Sequence, residues 1–106
     1  MLELSRLDFY ISTVIADPSL EKIQKAEQRF KKIIEEIKTD EQFKDITFSM
    51  PRTKNHYKEE DIVSATQIQW FGSASPEIIN EFIKRWRQVD TNPLSIFYFH
   101  FLFNAF

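Results

Sequence analysis

The stretch Ile96-Phe97-Tyr98-Phe99-His100-Phe101-Leu102-Phe103 decides the architecture. Aromatic and β-branched residues in an unbroken run favour an extended chain. Successive side chains of a strand point to opposite faces. One face therefore carries Phe97, Phe99, Phe101 and Phe103, and the other Ile96, Tyr98, His100 and Leu102. Only His100 and the Tyr98 hydroxyl are polar, so the strand needs cover on both sides. The run is far too short to cross a bilayer as a helix.

Reading back from this strand, Asp90-Thr91-Asn92-Pro93 forms a stop, because proline cannot continue a helical ladder. Before it, Ile78, Ile79, Phe82, Ile83, Trp86 and Val89 recur at helical spacing. Ser75-Pro76 supplies a cap followed by a proline suited to the first turn. Gly72–Ser75 reads as a turn and Ile62–Phe71 as a strand. Pro51–Asp61 is polar and charged and predicts a long hairpin loop. Ile46, Phe48 and Met50 alternate with Thr47 and Ser49, which is strand periodicity. Thr39–Asp45 is a connector with one helical turn holding Phe43 inward. Leu20, Ile23, Ala26, Phe30, Ile33, Ile34 and Ile37 predict an amphipathic helix over Pro18–Lys38, capped by Asp17. Leu7–Ile15 opens the domain as a strand with Phe9, Ile11, Thr13 and Ile15 on one face.

The order is strand, helix, strand, strand, helix, strand. It predicts a single α+β domain over 1–106: a ferredoxin-like βαββαβ fold with a four-stranded antiparallel sheet and both helices on one face. In that arrangement the last strand lies at an edge, beside the first. The sheet face away from the helices should then be polar, yet either face of the last strand is apolar. Leaving three large side chains of that face in water forfeits roughly 1.5–3 kcal/mol each and invites aggregation. The expectation is association through this face, as a homodimer or with a heterologous protein partner. The row Ile96, Tyr98, His100 and Leu102 is the expected contact surface, and Phe99 is the neighbouring position counted with it.

Composition narrows the chemistry. Apolar residues make up 42% and charged residues 28% of the 106 residues. That balance supports a packed globular domain rather than disorder. A single glycine excludes a glycine-rich phosphate loop. There is no cysteine, so disulfide and thiolate chemistry are absent, which agrees with a cytoplasmic setting. The amino-terminal Met1–Arg6 stretch lacks a signal-peptide pattern. A net charge of −2 gives no global attraction for nucleic acid. A local basic patch remains as a candidate, from Arg52, Lys54 and Lys58 in the predicted loop with Lys84, Arg85 and Arg87 on the second helix. The solvated side of that helix, opposite Trp86, is the better account of the last three.

His56 and His100 have no partner at metal-ligand spacing, and neither a metal nor another cofactor is expected. Glu35-Glu36 and Glu59-Glu60-Asp61 sit on a charged helix side and in the loop, where nothing tunes a carboxylate for acid–base work.

Two segments carry a resemblance. Ile68-Gln-Trp-Phe-Gly-Ser-Ala-Ser-Pro-Glu-Ile-Ile-Asn-Glu-Phe82 resembles the strand–Trp–helix segment of the dimeric α+β barrel group, which includes antibiotic-biosynthesis-type monooxygenases. That resemblance implies sheets paired in a dimer and a small-ligand pocket near Trp70, Trp86 and His100. The first strand lacks an Asn to match the haem-degrading members. Ile15-Ala-Asp-Pro-Ser-Leu20 with Ala74-Ser-Pro-Glu-Ile78 resembles the sixth protein of the small ribosomal subunit, which implies RNA binding; its glycines and basic second strand have no counterpart here. The central strand offers Gln67 and Gln69 rather than a base-stacking pair. The expectation from the residues themselves is a non-enzymatic protein-interaction module, of the kind found among small inhibitors, immunity proteins and phage accessory proteins.

Overall fold

The computed structural model describes residues 6–91 and 97–102. The elements run β1 (Leu7–Ala16), α1 (Leu20–Ile37), a 3₁₀ turn (Glu41–Phe43), β2 (Thr47–Phe48), β3 (Arg52–Glu59), β4 (Ile62–Ala74), α2 (Pro76–Val89) and β5 (Tyr98–Leu102). The class is α+β, with one five-stranded antiparallel sheet and two helices. β2, β4, β1 and β5 lie side by side in that order, and β3 also pairs with β4. The last strand sits beside the first, as expected.

The sheet departs from the four-strand expectation at Pro51–Asp61. Most of that polar stretch is β3, joined to β4 by a turn at Glu60 and Asp61. All eight β3 residues are exposed, so none of them carries an apolar alternation for sequence reading to detect. β2 and β3 flank β4 on the same side: Phe48 pairs with Gly72 and Arg52 with Gln69. Ser49 still donates its N–H to the Phe71 carbonyl at 2.8 Å, and the chain then steps out through Met50 and Pro51. β4 also runs on through Gly72 to Ala74, where a turn was expected.

Local chemistry sets the helix starts. Asp17 takes a left-handed φ of 45°. Asp tolerates that region better than most residues. It turns the chain, and Ser19 rather than Asp17 becomes the N-cap, accepting the Lys22 N–H at 3.2 Å. Serine suits that position because its oxygen satisfies one of the orphan donors of the first turn. Pro76 opens α2 as expected, behind Ser75, which caps without a side-chain hydrogen bond. Asp40 accepts from the Gln42 side chain at 2.9 Å and from the Gln42 N–H at 3.2 Å, and Arg85 reaches it from α2 at 3.2 Å. The Gln42 bonds, with help from Arg85, lower its carboxyl below the usual range. Whatever stability Asp40 adds is thus present at neutral pH and lost as pH falls through that lowered value.

Both helices pack on one sheet face. Phe30 of α1 stacks on Trp70 of β4 at 4.1 Å, and Phe82 of α2 meets Phe9 of β1 and Phe99 of β5 at 6.1 and 6.4 Å. Phe43, held by the 3₁₀ turn, is buried as expected and contacts Phe82. Arg29 of α1 binds Asp90 at the end of α2 at 2.6 Å and lies over Phe97.

Candidate functional site: the open sheet face

The register sorts the strand residues between the two faces. Phe9 and Ile11 of β1 face the helices and are buried, so Tyr10 and Ser12 face the other way. Tyr10 pairs with Phe71 on β4 and His100 on β5, and Ser12 pairs with Gln69 and Tyr98. Arg52 and Lys54 oppose Gln69 and Gln67 on the same face.

A ladder crosses four strands of this face. Arg52 lies over the Phe71 ring at 4.8 Å, a cation–π contact. Phe71 meets Tyr10 at 5.1 Å, and Tyr10 stacks on His100 at 4.2 Å with planes 10° apart. Such separations are those of favourable aromatic pairs. His100 Nε2 is also 3.1 Å from Ser12 Oγ, with donor and acceptor set by the tautomer. Tyr98 and Val14 flank the ladder at 51% and 52% exposure, both large apolar surfaces in water.

The Ser12–His100 pair has the spacing of a nucleophile and its base. Its surroundings give it another role. Ser12 is only 1% exposed, so no substrate carbonyl reaches its oxygen. Among the described residues no carboxylate orients the histidine's second nitrogen. The bond satisfies a hydroxyl buried within the sheet.

The residues expected at the interface divide. Tyr98 and His100 stand on the open face, and Leu102 closes β5 opposite Asp8. Ile96 lies outside the described residues. Phe99 does not belong with them: it is on the helix side, edge-on to Trp86 at 5.5 Å. The basic candidates also separate. Arg52 and Lys54 lie on the open face and Lys58 on the same edge strand. Lys84, Arg85 and Arg87 are in the helical layer, where Arg85 binds Asp40 and Lys84 lies 3.4 Å from Glu81. No single patch forms.

The pocket implied near Trp70, Trp86 and His100 is likewise divided by the sheet. Both tryptophans are buried against Phe30, while His100 is on the far side. A solvent-open cleft of about 370 Å³ lies elsewhere, at the notch between β2 and β3, lined by Asp8, Thr47, Ser49, Arg52, Phe71 and Ser73 among others. Its guanidinium is already engaged by the Phe71 ring.

Tyr10 and Phe71 were missed as a pair by sequence reading. Finding them requires the register of β1 on β4, which sets Tyr10 opposite Phe71. They form two adjacent rings on central strands, the placement used by RNA-binding sheets. Here His100 stacks on one and Arg52 covers the other, so their outer faces are occupied.

Among the described residues, no cluster of His, Asp and Glu could hold a metal, and no helix is long and apolar enough to cross a membrane. The fold and face define an α+β domain with a helix-covered sheet and one aromatic open face. No protein-family model and no curated protein matches the chain. Among solved structures it is similar to an unknown protein from Galdieria sulphuraria, with a TM-score of 0.51 and 7% identity over 97% of this chain. At that identity the likeness concerns the fold alone. The chain spans 54% of that protein, about half its length.

Proposed function

We propose that the chain is a non-enzymatic protein-interaction module whose open sheet face is the contact surface for a protein partner. We also read its sheet as a ferredoxin-like variant in which β2 and β3 are two segments of the second strand, offset by the step at Met50 and Pro51. The observation that carries the functional reading is the composition of the face: a held aromatic ladder at its centre, with Tyr98 and Val14 half exposed beside it. Rings fixed by their neighbours lose little entropy on binding. Tyr and Arg are also the residues most enriched at the energetic centre of interfaces.

The size fits as well. Four strands about 4.8 Å apart, rising about 3.4 Å per residue, present a patch of roughly 600–800 Å². A standard interface uses roughly 800 Å² on each partner.

The test is Val14→Asp combined with Tyr98→Asp, which places two charges on the face without touching the helix-side core. Recovery of a bound protein from native extract should fall by roughly tenfold or more, while the circular dichroism spectrum is unchanged. Undiminished capture by the double variant would move the contact surface elsewhere.

A further inference from the structure

β3 pairs with β4 along one side, and among the described residues no strand lies along its other side. Its eight residues, Arg52–Glu59, are all exposed and include no proline. Its N–H and C=O groups on the side away from β4 therefore have no strand partner among the described residues. Charges usually blunt such an edge. Here they are sorted by end. Arg52 and Lys54 stand at the start. Glu59 stands at the finish with Glu60 and Asp61 of the turn, accompanied by Lys58, and His56 lies between the two groups. Two copies aligned in parallel set like charges together. Two antiparallel copies set the cationic end of each against the acidic end of the other, and they do so twice, as twofold symmetry requires.

We infer that β3 is a self-pairing edge, along which a second copy of this chain docks antiparallel and joins two sheets into one. The register on β4 shifts between His56 and Tyr57 and again between Tyr57 and Glu59, which adds local twist there. The order of charges, rather than a long flat ladder, therefore selects the pairing. Edge pairing runs along the β3 backbone, whereas the contact proposed for the open face centres on the ladder with Tyr98 and Val14; Arg52 and Lys54 belong to both. A twofold axis normal to the sheet keeps both open faces on the same side, free for another protein.

The test is a charge swap followed by light scattering. The wild-type chain should be a dimer. Arg52→Glu with Lys54→Glu makes both ends acidic, and Glu59→Lys with Asp61→Lys makes both ends basic. Each double variant alone should dimerise more weakly, by roughly tenfold or more. Mixed in equal amounts, the two should recover the dimer as a heterodimer, which also shows that both fold. Val14→Asp with Tyr98→Asp should leave this dimer intact, so failure here is separable from failure of the face. A monomeric wild type overturns the inference. So do variants that dimerise as well as wild type, or a mixture that stays monomeric.

Discussion

Phe82→Ala is expected to lower the unfolding free energy by roughly 3–5 kcal/mol. Phe82 is 1% exposed. Its ring lies within aromatic contact range of five rings of the helix-side core. It meets Phe9 of β1, Phe43 of the 3₁₀ turn, Phe48 of β2, Trp86 one turn further along α2, and Phe99 of β5. Truncation removes the transfer free energy of the ring and leaves a void bounded by other rings, which collapse poorly because they are rigid and wedged against one another. Urea unfolding followed by tryptophan fluorescence measures it, since Trp86 and Trp70 lie in the same cluster. A loss below about 1.5 kcal/mol would show that the cluster relaxes into the space.

Gly72→Ala should destabilise the fold by about 1–3 kcal/mol, although alanine is ordinarily welcome in a strand relative to glycine. A β-carbon at position 72 would sit 2.7 and 2.9 Å from two atoms of the Phe48 ring and 2.9 Å from Phe9 Cζ. Neither ring can swing away freely. Phe48 is edge-on to Phe9 at 5.7 Å and to Phe30 at 5.3 Å, and Phe9 is fully buried. The single glycine is therefore kept for close approach rather than for backbone freedom, since its φ is not positive. Phe48→Leu should relieve part of the clash, so a double-mutant cycle should show favourable coupling between the two positions. Additive effects would rule out the ring contact as the cause.

These residues also show what was legible in the sequence. α1 and α2 were readable because their apolar residues repeat at helical spacing and both have one buried side. Phe30, Ile33 and Ile37 carry that repeat in α1, and Ile79, Phe82 and Trp86 carry it in α2. β1 was readable for the matching reason at a period of two. β3 was not, because a strand exposed on both sides leaves no periodic trace. Gly72 was misread as a turn because glycine signals both turns and close approaches, and only the neighbouring rings tell the two apart.

The open face was legible in part. The row holding Tyr98 and His100 was identified, but Phe99 was counted with it. Tyr10 and Phe71 emerged only once the register of β1 on β4 was known. Ser12, polar and fully buried on a face expected to be open, could not be read from sequence, because its burial comes from neighbours on two other strands.

The contrast between β3 and the helix-side core has a consequence for motion. The core residues share one cluster of packed rings and aliphatic side chains. They can be freed only by unfolding the domain as a whole. β3 buries no side chain and is tied to β4 chiefly through backbone pairing. Its amides should therefore exchange with solvent through small local openings, at free energies well below the global value. The chain thus has two tiers of stability, a rigid helical layer and a margin that peels. Whatever occupies that margin slows its exchange first, ahead of any change in the tryptophan signal.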